Sequence, residues 1–192
     1  VIIVGGGLAG LALACALRGT RLKIALVEQG PPHPAPGWDA RVYAVSPANA
    51  DFLQTIGIWK HLPAERMAPI SAMKVVGDGG ARLDFSAYAA GLPELGWILE
   101  SSLMACELWE NVKRQSNVTL LCPATPAKLE MGTASALLTL TDGRTLAASL
   151  LVGADGRDSW TRTALGLRAH VTAYDEMGVV ANFECQTPHR GI

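Results

Sequence analysis

The sequence predicts an α/β fold, a parallel sheet opened by a βαβ unit and extended by attached antiparallel hairpins. Three observations lead there. Residues 1–10 run from an apolar strand straight into G-x-G-x-x-G, with Gly5, Gly7 and Gly10 at the three fixed places. After an alanine- and leucine-rich segment, a second strand from Lys23 to Glu28 ends in a carboxylate about 20 residues beyond the glycines. Gly/Asp clusters at 77–80 and 142–143 then separate runs of strand character, which is what hairpin turns require.

Taken in order, Val1 to Val4 is the first strand. Leu8 to Leu17 has the apolar density of a helix packed on a sheet, and Arg18-Gly19 closes it. Lys23 to Glu28 completes a right-handed βαβ unit. Residues 30–37 are too rich in proline for a helix or a central strand, so they form a loop that delivers Trp38, Asp39, Ala40 and Arg41 to a new position. Ser46 and Pro47 supply an N-cap and a first-turn proline for a helix over Ala48 to Ile56, stopped by Gly57. Ile70 to Val76 and Ala81 to Phe85 read as a hairpin.

Glu100 to Arg114 is helical on the spacing of Leu103, Met104, Leu108 and Val112, and Val118 to Cys122 is a strand. Leu137 to Leu140 and Arg144 to Val152 form the second hairpin around Thr141-Asp142-Gly143. The end of that hairpin, Leu150 to Gly153, runs into Ala154-Asp155-Gly156 and then a short helix carrying Trp160 and Arg162. Gly178 to Glu184 is again strand-like.

The composition suits a folded chain: 192 residues, 49% hydrophobic and 17% charged, with a formal net charge of −1. That charge, with no basic run, argues against nucleic acid as a partner and gives no electrostatic reason for attachment to an anionic membrane. Val1 to Leu17 carries no charge, but it has no basic start, is broken by Gly5, Gly6, Gly7 and Gly10, and only reaches the bottom of the roughly 17–25 residues a spanning helix needs. Cys15, Cys106, Cys122 and Cys185 are scattered without C-x-x-C pairing, and are expected as reduced core residues in a cytoplasmic protein. His33, His61, His170 and His189 show no ligand spacing, so no metal is expected. The chain starts inside its first strand and stops after a strand-like run, as part of a longer protein would.

The glycines have separate tasks. Gly5 turns the chain out of the strand, Gly7 lets backbone approach a pyrophosphate, and Gly10 lets the helix pack close to the sheet. The helix N-terminus adds unpaired N–H groups and a partial positive charge. Glu28 stands where a carboxylate accepts the adenosine ribose hydroxyls, which favours FAD or NAD over NADP. Asp155-Gly156 brings a second carboxylate and a second close backbone approach to the same cofactor, although an Asp-Gly pair by itself is also a common turn.

Strand-G-x-G-x-x-G, Glu28, Arg41 after a long loop, and G-A-D-G-x-x-S-x-x-R from Gly153 to Arg162 together resemble the FAD-dependent aromatic hydroxylases, the class A flavoprotein monooxygenases. Within that class, Arg41 to Ser46, Leu53 to Trp59 and Leu95 to Glu100 are similar to the ubiquinone-biosynthesis hydroxylases. The resemblance implies a Rossmann-like FAD-binding domain over 1–168, discontinuous and with 70–99 on the substrate side, and the start of a substrate-binding β-sheet domain at 169–192. It assigns Gly5, Gly7 and Gly10 to the pyrophosphate, Glu28 to the ribose, and Arg41 to the pyrophosphate and flavin. Glu100 is assigned to the flavin side, and Asp155 and Gly156 to FAD and the passing NAD(P)H. Arg162 closes the Asp-Gly motif, with an ion pair to Asp158 as its structural alternative.

The implied reaction has NAD(P)H as co-substrate reducing FAD, O2 captured as a C4a-hydroperoxide, and oxygen passed to an aromatic substrate, a polyprenylated phenol. No residue is assigned as a catalytic acid or base. A membrane-peripheral position or a place in a biosynthetic complex follows from such a substrate. The family's later Gly-Asp motif and the glycine-rich segment beside the isoalloxazine ring do not occur in these residues. The rival readings are another FAD enzyme of the same architecture, such as a halogenase or an isoprenoid reductase; an NAD-dependent dehydrogenase, which the Asp-Gly motif argues against; and a nucleotide-binding domain without turnover.

Overall fold

The structure, a computed structural model, describes residues 1–192. In chain order its elements are β1 (Ile2–Val4), α1 (Leu8–Ala16), β2 (Ile24–Val27), β3 (Val42–Val45), α2 (Pro47–Thr55), β4 (Ala68–Ile70), β5 (Ala72–Val76), β6 (Arg82–Ser86) and α3 (Ala87–Ala90). They continue with β7 (Gly96–Glu100), α4 (Ser101–Lys113), β8 (Val118–Leu121), β9 (Pro126–Met131), β10 (Ala136–Leu140), β11 (Thr145–Ala148), β12 (Leu151–Gly153) and α5 (Trp160–Ala164). The chain divides into two compact units, Val1–His33 with Ala105–Gly178, and Pro34–Met104 with Val179–Ile192.

The first unit is built on a four-stranded sheet in the order β12-β1-β2-β8, and every pairing in it is parallel. Strand β1 lies inside this sheet, so it needs apolar residues on both faces, and Ile2, Ile3 and Val4 are all buried. Alternation sends Ile2 and Val4 to one face, where they join Val27, Ala124, Leu138 and Leu140 in a core closed by the antiparallel sheet β11-β10-β9. Helix α1 packs on β1 and β2, with Leu11, Ala14 and Cys15 buried. Each fully buried aliphatic side chain in these layers contributes about 1.5–3 kcal/mol relative to exposure.

Two expectations change here. Arg144 to Val152 is not one hairpin strand: β11 pairs antiparallel with β10, and after Ser149 and Leu150 the chain joins the parallel sheet as β12, beside β1. The core needs both, a strand to pair with β10 and one to cover the open edge of β1. Strand β9 was not expected at all, because Pro126 opens it and its charged residues Lys128 and Glu130 leave little apolar periodicity.

In the second unit, β3, β7 and β4 form an antiparallel sheet in that order, and β5 and β6 form the hairpin expected around residues 77–80. Pro69 sits in β4, an edge strand, where a missing N–H is tolerated. Ser46 caps α2 as expected, its Oγ accepting from Asn49 N–H. Glu100 ends β7 rather than opening the helix that follows. Gly178 to Glu184 forms no strand. It joins no sheet, although Asn182 Nδ2 donates to Trp38 O at 3.1 Å, and Val179, Val180 and Phe183 lie exposed. Nearby, the Gly191 carbonyl accepts from the N–H groups of Ser71 and Ala72.

The cysteines are all free thiols, but only Cys15 is buried; Cys106 and Cys122 are half-buried and Cys185 is exposed, against the expectation of four core residues. Burial pushes the Cys15 thiol up to about 11 despite nearby Arg18. No helix is long and apolar enough to cross a membrane.

Candidate functional site

At the carboxyl ends of the parallel strands the backbone is tied together across the sheet. Gly5 N–H donates to Val27 O at 2.9 Å, Ala124 N–H to Glu28 O at 2.8 Å, and Ala154 N–H to Val4 O at 2.7 Å. Between these ends lies a cavity of about 400 Å³, lined among others by Gly5, Gly7, Glu28, Asp155, Gly156 and Trp160. Ligands in open α/β sheets bind in this place, outside the carboxyl ends of the strands.

The glycines are needed for close approach. Gly5 has φ +107°, and a Cβ there would sit 2.3 Å from Ala154 O. On Gly10 a Cβ would lie 2.0 Å from Gly5 O, so any side chain would push α1 off the strand. Gly7 differs: nothing lies within 4 Å of the space its Cβ would take, and it is the N-cap of α1 with no side-chain cap. The first-turn amides of a helix have no acceptor within the helix. Unpaired donors of this kind attract anions.

Glu28 lines the cavity, and its carboxylate is held by backbone. Oε2 accepts from Gly6 N–H, and Oε1 accepts from Gln29 N–H at 2.7 Å and Gly30 N–H at 3.2 Å. A carboxylate has about four acceptor positions, so this holding leaves capacity toward the cavity. Gly6, which the sequence reading passed over as an unspecified position of the fingerprint, is therefore the partner of Glu28.

Asp155 is fixed by the helix that follows it. Ser159 Oγ donates to Oδ1 at 2.5 Å and Thr161 N–H to Oδ2 at 2.8 Å. Burial pushes its carboxyl up, but these hydrogen bonds prevail and hold it below the usual aspartate value. Ser159 also caps α5, accepting from Arg162 N–H at 3.0 Å. Gly156 follows at φ +82°, a conformation glycine adopts without strain. Arg162 does not pair with Asp158. Its Nη2 donates to Arg157 O at 2.8 Å, and Asp158 meets exposed Arg157 at 3.6 Å.

Of the expected site residues, Gly5, Gly7, Glu28, Asp155 and Gly156 share one cavity, and Gly10 packs directly behind Gly5. Arg41 and Glu100 belong to the second unit. There, Arg41 has an exposed side chain that makes no hydrogen bond or ion pair. Glu100 is 3% exposed and bound by Arg66 through two parallel bonds, Nε to Oε1 and Nη2 to Oε2, both 2.6 Å. Asp39 N–H donates to Glu100 Oε2 at 2.6 Å as well. Burial pushes the Glu100 carboxyl up, yet Arg66 and the Asp39 amide together hold it below the usual glutamate value.

Arg66, Trp38 and Asp39 were not singled out from the sequence as site residues. The guanidinium of Arg66 lies 4.0 Å from the Trp38 ring centroid. Arg66, Asp39 and Glu100 are far apart in sequence, and no periodicity connects them.

Residues 1–189 match the family described as FAD binding domain. Among curated proteins, the chain is 36% identical to the ubiquinone hydroxylase UbiL of Rhodospirillum rubrum, covering 100% of this chain and 45% of that protein. It is 29% identical to the 3-demethoxyubiquinol 3-hydroxylase of Escherichia coli, covering 97% and 48%. The chain therefore spans about half the length of the curated relatives it matches.

Among solved structures, it is similar to Pseudomonas aeruginosa PqsL in complex with 2-aminobenzoylacetate, at TM-score 0.74 and 23% identity, over 90% of this chain and 47% of that one. It is also similar to the flavin-dependent monooxygenase PieE in complex with FAD and substrate, at TM-score 0.64 and 23% identity, over 86% and 31%. At these identities the likeness shows the fold. With all but the last three residues inside the matched region, the chain belongs to the FAD binding domain family, and its cofactor is FAD.

Proposed function

We propose that the full-length protein is an FAD-dependent monooxygenase that hydroxylates an aromatic ring of a ubiquinone precursor, with NAD(P)H as reductant and O2 as oxidant. The observation that carries this reading is the extent of similarity to the ubiquinone hydroxylases. It covers 97–100% of the chain, the second unit included, whereas a glycine cradle alone occurs in many FAD proteins.

The residues present fit FAD. The close approaches at Gly5 and Gly10 need glycine, and Gly7 leaves space over the α1 donors for the pyrophosphate. A cavity of about 400 Å³ takes part of the dinucleotide rather than all of it. In this reading Glu28 accepts a ribose hydroxyl with the capacity its backbone partners leave free, while those partners keep the carboxylate aimed. Asp155, held ionised by Ser159 and Thr161, and Gly156 border the pyrophosphate. Arg41 meets the pyrophosphate and flavin, and residues 70–99 belong to the substrate side. When bound, FAD supplies the electron transfer and oxygen activation. The protein's part is to orient the ring and exclude water. A polyprenylated phenol as substrate would bring the protein to a membrane surface.

The test is to supply the full-length, FAD-loaded protein with NAD(P)H and prenylated phenols under isotopically labelled O2. The expected result is substrate-stimulated NAD(P)H oxidation, with one labelled oxygen atom in the product. NAD(P)H oxidation that yields only H2O2 with every phenol, or no oxidation at all, would contradict the reading.

A further inference from the structure

Trp160, the first residue of α5, lines the cavity at the strand ends and is the one aromatic residue that does. The backbone on both sides of it is tied to a single carboxylate. Ser159 Oγ donates to Asp155 Oδ1 at 2.5 Å, and Thr161 N–H donates to Asp155 Oδ2 at 2.8 Å. Between these two anchors the indole is half-buried, packed against the core of Val4, Val27, Ala124, Leu138 and Leu140. Val4, Val27, Ala124 and Pro126 line the cavity beside it. The cavity thus has two kinds of lining, all of it within the first unit. The glycines, Glu28 and Asp155 suit phosphate and ribose, whereas the indole and its aliphatic neighbours suit a planar, uncharged ring.

We propose that Trp160 is the stacking surface for the adenine ring of FAD, and that the apolar part of this cavity is the base subsite. The inference rests on FAD as the cofactor and on Glu28 as the ribose acceptor. The base joined to that ribose is adenine, while the isoalloxazine ring lies at the far end of the dinucleotide. A cavity of about 400 Å³ takes part of the molecule, and the part with a ribose at Glu28 is the adenosine half. The double tie to Asp155 fixes the Trp160 backbone before any nucleotide arrives, so little is lost in ordering it on binding. Leucine at position 160 would keep apolar contact but lose the aromatic face, and phenylalanine would keep a smaller one.

The experiment takes the full-length protein stripped of flavin, labelled for heteronuclear NMR, and follows its indole N–H resonances. Trp160→Phe identifies the resonance of Trp160 by its loss. ADP should shift that resonance far more than pyrophosphate or FMN does. Trp160→Leu should weaken ADP and FAD alike, about tenfold, the size of a lost base–aromatic stack, and Trp160→Phe should regain most of that affinity. In the FAD-loaded protein NAD+ should leave the Trp160 resonance in place, because its adenine finds the surface taken.

A response to FMN rather than ADP would overturn the inference and put the flavin ring at Trp160. A response to NAD+ with FAD bound would overturn it by giving the surface to the other nucleotide. If Trp160→Leu lowers the thermal midpoint and leaves ADP affinity unchanged, Trp160 is core packing alone. FAD binding with no change at Trp160 defeats this inference and spares the FAD site, whereas a full-length protein that binds no FAD defeats both. Should Trp160→Leu not fold, the wild-type titrations and Trp160→Phe decide the matter.

Discussion

Asp155 in the first unit and Glu100 in the second are both held below their ordinary carboxyl values, but by opposite means. Asp155 is held by neutral donors four and six residues away, a hydroxyl and a backbone amide, in the turn that starts α5. Glu100 is held by a guanidinium 34 residues away and an amide 61 residues away, and it is more deeply buried. The difference teaches where function is visible in a sequence. A carboxylate served by its own turn leaves a short pattern, Asp-Gly followed by a serine cap. One served by tertiary contacts leaves none, and it depends on a single distant side chain.

The largest expected effect tests that dependence. Arg66→Met leaves a buried carboxylate without its cation, and the thermal midpoint should fall by roughly 10 °C. A fall of a degree or less would show that Glu100 finds water or another donor, and would erase the contrast between the units. Because the Glu100 carboxyl titrates below its ordinary value of 4.5, its contribution is present above that pH and is lost as pH falls through the lowered value. The stability gap between wild type and Glu100→Gln should therefore narrow under acid. A gap that stays constant from neutral pH down to below pH 4.5 would contradict the ionised pairing.

Next comes the backbone of the cradle. Gly10→Ala places a Cβ against Gly5 O, and should cost about 1–3 kcal/mol together with flavin retention. Chemical denaturation and the flavin content of the purified variant measure both. An unchanged protein would mean that α1 moves freely away from β1, and that Gly10 is not needed for close packing.

Asp155→Ala removes two hydrogen-bond acceptors from the start of α5 and should cost about 1–2 kcal/mol, less than the Arg66 change because water reaches the turn. A larger loss would place Asp155 with the tertiary anchors rather than the local ones. Smallest of all, Ser46→Ala removes the α2 cap in the second unit, at about 1 kcal/mol by denaturant midpoint. It sharpens the comparison, since it is a local, readable bond inside the unit whose anchors were not readable. A loss as large as that of Arg66→Met would remove the distinction.

The same division describes how much of the molecule could be read before folding. The βαβ start, the capped helix at Ser46 and the hairpin at 77–80 are each written within a few residues, and each stands where expected. The run from Arg144 to Val152 was misread because an apolar stretch looks alike whether it pairs with β10 or crosses to β1; only partners tell them apart. Gly178 to Glu184 has strand-forming residues and no strand, for the same reason. In the cradle, Gly5 and Gly10 are written in the sequence because the close approach of backbone leaves no room for a Cβ, while Glu28 and Asp155 show only as carboxylates just past strand ends. Arg66 was not legible, because a surface arginine and an anchoring one have the same neighbours in sequence.

The central claim is that the first unit holds FAD through the glycine cradle and Glu28. The most direct measurement is the flavin absorbance per protein of full-length wild type and Glu28→Lys after gel filtration. The account predicts bound flavin in the wild type and its loss in the variant, where a ribose acceptor becomes a cation, with affinity falling by kilocalories per mole rather than tenths. Equal flavin in the two proteins would contradict the place given to Glu28, and with it the site built around it.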